Sequence, residues 1–74
     1  MNTEQTALFR KKIRREAKRN KLDVETLADA VHGIQYLKKG LEADANYYLK
    51  GKSAKVLEVA ENIVEFMSDL EAVK

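Results

Sequence analysis

The sequence predicts an all-α protein, a small bundle of four or five helices. Proline is absent, and Ala, Leu, Glu and Lys, which favour helix, are abundant. Apolar residues recur at three- and four-residue spacings, and the two-residue alternation of a half-buried strand is missing. The three glycines, Gly33, Gly40 and Gly51, fall where periodic segments break. Seventy-four residues suit a single helical domain, 1–74. A chain of this length buries roughly 60–65% of its unfolded surface, so the core is expected to be thin.

The first helix is expected from about Thr3 to Asn20, with Thr3 as N-cap and Glu4 favourable in the first turn. Thr6, Phe9, Ile13 and Ala17 share its inner stripe, while Lys11, Arg14, Arg15 and Lys18 fall opposite, flanked by Lys12 and Arg19. A second helix is expected from Val24 to His32, capped by Asp23 and ended by Gly33, with Leu27, Ala28 and Val31 inside. His32 then sits at a helix end, where a cation suits the dipole. Residues 34–50 admit two readings. Either Ile34 to Lys39 and Leu41 to Lys50 are short segments stopped by Gly40 and Gly51, or one helix runs through Gly40 at a cost of about 1 kcal/mol relative to Ala. Ser53 caps the last helix, which continues to about Leu70. Its apolar stripe (Val56, Leu57, Val59, Ala60, Ile63, Val64, Phe66, Met67 and Leu70) is wider than one neighbour needs. Either the helix is central to the bundle, or part of the stripe meets a second subunit in a homodimer.

Charge is distributed unevenly. Of the twelve residues from Arg10 to Lys21, eight are Arg or Lys and one, Glu16, is acidic. The last helix carries Glu58, Glu61, Glu65 and Asp69 on its polar side. The formal net charge of +2 therefore conceals a chain that is basic at one end and acidic at the other. A solvated helix face that only confers solubility mixes the two signs, and this one does not. A concentrated positive surface is suited to a polyanion. Its alternative partner is an acidic protein, docked by a non-enzymatic interaction module such as an inhibitor or adapter.

Chemistry is sparse. There is no cysteine, so no disulfide framework and no thiolate metal site. His32 is the sole histidine and has no recognisable ligand spacing around it. Glu58, Glu61 and Glu65 read as a solvated face. No phosphate-binding glycine loop is present. Neither enzymatic activity nor a cofactor or metal is expected. No apolar run is long enough to span a membrane, and a soluble cytoplasmic protein is the expectation. The stretch Asn46-Tyr47-Tyr48-Leu49-Lys50-Gly51-Lys52-Ser53 adds side chains that hydrogen-bond phosphates and base edges. Adjacent tyrosines on a helix point about 100° apart, so one can be buried and the other exposed.

Leu27-Ala28 followed by Gly33-Ile34-Gln35 resembles the second helix and turn of the helix-turn-helix domains of the phage repressor and Cro class. Leu49-Lys50-Gly51-Lys52-Ser53 resembles the stretch that closes that family's recognition helix, and the helix from Ala54 is similar to its following core helix. The resemblance covers about residues 8–67. The Leu-Ala pair stands about one residue further from the glycine than in the family, and more chain separates Gly33 from Asn46 than a tight turn holds. Two registers follow for the recognition segment: Gln35 to Lys39, or Asp44 to Lys50. The resemblance implies a DNA-binding regulator of transcription that acts on duplex DNA, commonly as a dimer. Lys11, Arg14, Arg15 and Lys18 are then expected on phosphates. Asn46, Tyr47, Lys50 and Lys52, or Gln35 and Lys38 in the other register, are expected nearer the bases. RNA binding by the arginine-rich helix alone is a further expectation.

Overall fold

The computed structural model describes residues 3–72, with side chains described to residue 69. It contains four helices and, among the described residues, no strand. They are α1 (Thr3–Arg19), α2 (Val24–Lys38), α3 (Glu42–Leu49) and α4 (Ala54–Ala72). α2 is the hub: α3 packs on it, α4 runs along it, and α1 closes against both α2 and α4. The result is a slab of 34 × 30 × 16 Å.

Local chemistry sets the helix ends. Thr3 is already helical rather than the cap. α1 ends in a Schellman turn, with Leu22 N–H donating to Ala17 C=O at 2.7 Å and Lys21 N–H to Lys18 C=O at 3.3 Å. That turn needs a left-handed residue, and Lys21 occupies it at φ 56°. Leu22 then folds back onto the core. Asp23 caps α2 as expected, accepting from Thr26 N–H at 3.0 Å and from the Thr26 hydroxyl at 3.1 Å. Ser53 Oγ accepts from Val56 N–H at 3.2 Å and caps α4.

The expected stop at Gly33 does not occur. α2 continues through it for five residues and ends in a second Schellman turn, with Gly40 at φ 80° and Leu41 N–H donating to Tyr36 C=O at 2.9 Å. Gly33 is buried, and its role is close packing. A Cβ there would meet Leu49 Cγ at 2.6 Å and Tyr48 Cβ at 3.1 Å, so glycine lets α3 approach the α2 backbone. His32 is accordingly not at a helix end: it is an exposed residue inside α2. Residues 34–50 are divided at Gly40, and no single helix runs through it. Gly51, at φ 76°, follows Lys50 (φ −58°, ψ 129°) in a type II turn closed by Lys52 N–H on Leu49 C=O at 3.2 Å.

The core gathers Ile13 and Ala17 of α1, Leu27, Ala30, Val31 and Ile34 of α2, and Val56, Val59, Ala60, Ile63 and Val64 of α4. The wide stripe of α4 is thus covered within the chain, by α2 on one side and α1 on the other, as far as Met67. α4 buries its stripe on two neighbours while α2 holds the central place, and the stripe supplies no reason to invoke a second subunit. The Leu70 side chain lies outside the described residues.

Candidate functional site

α1 presents its cations as a continuous surface. Arg10, Lys11, Arg14, Arg15, Lys18, Arg19 and Lys21 are all exposed. At 100° per residue, Arg10 to Arg19 sweep about half the circumference of the helix and cover about 14 Å of its length. Ile13 and Ala17 are buried on the inner side, which fixes the rotation of α1 and turns this arc outward. Among the described residues the one ion pair is Lys12 Nζ to Glu16 Oε1 at 3.5 Å, within α1 itself. Lys12 also lies over the Phe66 ring, 5.2 Å from its centroid, so this lysine ties α1 to α4 rather than joining the free face. Glu16 Oε2 is buried without a hydrogen-bond partner.

The exposed carboxylates of α4 form no ion pair with the arc among the described residues, and Glu58 alone shares a pocket with one of its members, Arg19. Glu61 and Glu65 line a groove with Ile34, Leu37 and Lys38 of α2. Glu58 shares a polar pocket of about 270 Å³ with Glu16, Arg19, Lys55 and Asn62, where both signs are present. Between α1 and α2 lies an open groove of about 350 Å³ with Ile13, Val24 and Ala28 along it and Arg10 and Arg14 at its edge.

The second sequence feature forms a separate surface. Asn46 and Tyr47 project from α3 into solvent, Tyr47 with 79% of its surface exposed. Tyr48 is half-buried and stacks on Tyr36 of α2, with ring centroids 5.6 Å apart and planes at 21°. Tyr47 meets Tyr48 edge-on at 5.2 Å and 89°, and His32 lies 6.1 Å from Tyr48. The adjacent tyrosines thus split as their spacing requires. Lys50 is exposed and lines a shallow groove with Asn46 and Leu49, while Lys52 is half-buried.

Of the expected contact residues, Lys11, Arg14, Arg15 and Lys18 share one surface on α1, and Asn46, Tyr47 and Lys50 share another on α3. Gln35 belongs to neither, because its side-chain amide turns inward and donates to Met67 Sδ at 3.3 Å. Lys38 is exposed at the end of α2. Sequence reasoning missed Arg10, at the edge of the groove, and the ring cluster formed by His32 and Tyr36. His32, Tyr36 and the i+4 spacing between them are visible in the sequence; their meeting with Tyr48 depends on Gly33. No helix of the described residues is long and apolar enough to cross a membrane, and no group of three metal-ligating side chains is present among them. No family model, curated protein or solved structure matches this chain.

Proposed function

We propose that this chain binds nucleic acid, duplex DNA in the first instance, by laying the cationic arc of α1 along the phosphate backbone. The observation that carries the reading is the exposed run from Arg10 to Lys21, in which only Lys12 is paired within the described residues. Its length of about 14 Å spans about four phosphate spacings of one strand at about 3.4 Å each, and so about five phosphates. No catalytic step is part of the proposal. The connection from α2 through Lys39-Gly40-Leu41 to α3 has the length and glycine of a helix-turn-helix turn. The turn that the resemblance assigns to Gly33-Ile34-Gln35 falls inside α2, as does most of the Gln35 to Lys39 register, so a regulatory role in transcription rests on the Gly40 connection and the Asp44 to Lys50 register instead. Glu42 and Asp44 in the first turn of α3 repel phosphates, so base contacts fall to its second half, Asn46, Tyr47 and Lys50.

The test is a mobility shift with random-sequence duplex DNA at low salt. A shift that is lost on replacing Arg14 and Arg15 with Ala supports the reading, and the absence of any shift refutes it. The groove between α1 and α2 favours a second reading, an acidic partner protein, because arginines beside an apolar floor suit a peptide that carries both carboxylates and an aliphatic anchor. Binding of such a peptide without any binding of DNA would establish that alternative.

A further inference from the structure

We infer that the chain also takes an unpaired nucleobase on Tyr47, along a track over α2 that adds a single-stranded mode to the duplex mode proposed for α1. The inference rests on the phosphate-binding reading of α1 and adds the class of nucleic acid.

The track follows i, i+4 steps on α2. It begins at Val24 and Ala28, in the groove edged by Arg10 and Arg14. It continues through exposed His32 and reaches Tyr36, on which Tyr48 stacks. Val24 to His32 is a rise of about 12 Å, more than three phosphate spacings of a stacked strand at about 3.4 Å each. One end of the track therefore offers guanidinium groups for phosphates, and the other offers aromatic rings.

The state of Tyr47 is what points to an unpaired base. Four-fifths of its surface lies in solvent, yet the ring is braced edge-on by Tyr48, which is itself anchored on Tyr36. A perpendicular contact braces the ring, and with four-fifths of its surface in solvent at least one of its faces is open. Bases in a duplex have both faces occupied by their neighbours, so only an unpaired base can stack there. Asn46 precedes Tyr47 on α3, and Lys50 caps the end of that helix, the two sharing a groove with Leu49.

The experiment is fluorescence anisotropy of the full chain with labelled oligothymidine, oligouridine and a mixed-sequence duplex, each of about twelve nucleotides or base pairs. Intrinsic tyrosine emission is a second readout, since the chain has no tryptophan to mask it. The single strands are expected to bind and to quench tyrosine emission, and the duplex to bind with less quenching. Tyr47→Ala is expected to weaken single-strand binding about 5- to 150-fold, the span of one stacked base, and to weaken duplex binding by a smaller factor. Tyr47→Phe should retain both. Either single strand, DNA or RNA, supports the inference, and the ratio of the two identifies the source. Equal affinity of Tyr47→Ala and the parent for both single strands overturns it while leaving the phosphate reading of α1 intact. Failure of all three oligomers to bind overturns both.

Discussion

Gly33 shows how one residue type carries two messages. In the sequence a glycine after Leu27, Ala28 and Val31 reads as a helix stop. In the fold it sits within α2 because Leu49 and Tyr48 occupy the space of a side chain. Gly33→Ala gains about 1 kcal/mol in helix propensity, against an overpacking cost of about 1–3 kcal/mol. A net loss of stability is expected, larger for Gly33→Val, together with a changed near-ultraviolet circular dichroism from Tyr48. A higher melting temperature for Gly33→Ala would show that α3 yields freely. Lys21 makes the opposite case. Its left-handed backbone costs about 1–2 kcal/mol relative to a helical residue, and Gly removes that cost at an entropic penalty of about 0.5–1 kcal/mol. Lys21→Gly should therefore raise stability by up to about 1 kcal/mol in urea denaturation. No change, or a loss, would show that the turn holds Lys21 without strain. Asp23 and Ser53 were legible as caps because their signal is local. The packing role of Gly33 was not, since it depends on residues that lie fifteen or more positions away.

At the scale of elements, α1 works against itself. Arg10–Arg14, Lys11–Arg15, Arg14–Lys18 and Arg15–Arg19 are like-charged i,i+4 pairs, each destabilising by about 0.2–0.5 kcal/mol. The helix is held mainly by Ile13 and Ala17, with half-buried Phe9 and the Lys12–Phe66 contact in support. Screening that repulsion should stabilise the fold by about 1 kcal/mol between low and moderate salt, a rise of about 4–8 °C in melting temperature. A polyanion that binds only the folded chain should raise it further. A melting temperature that falls with added salt would mean that attraction, not repulsion, dominates the charged surface. The outward rotation of the arc was legible, because the apolar stripe opposite it has helical spacing. The sequence admits two partitions of residues 34–50, since Gly33, Gly40 and Gly51 look alike in it and only two of them adopt positive φ. The breadth of the α4 stripe was also legible. Its cause is that α4 meets both α2 and α1.

The whole molecule is a thin, electrically polar slab. Its basic arc lies on α1, and its exposed carboxylates Glu58, Glu61, Glu65 and Asp69 lie on α4. Among the described residues the two surfaces make no ion pair with each other, so most of the positive one is left without a direct partner. An arrangement that costs α1 stability and is not compensated internally is the physical ground for assigning it an external anion. The ring cluster on α2 and α3 was only half visible in the sequence, which offers Tyr47 and Tyr48 but not their bracing by Tyr36. The most direct measurement is the dissociation constant for duplex DNA as a function of salt between about 50 and 200 mM, for the parent chain and for Arg14→Ala/Arg15→Ala. Neutralising about five phosphates predicts a log–log slope of affinity on salt near −4 to −5, reduced in magnitude by about 2 in the double variant. A slope near zero for the parent chain, or the same slope for both proteins, would contradict the account.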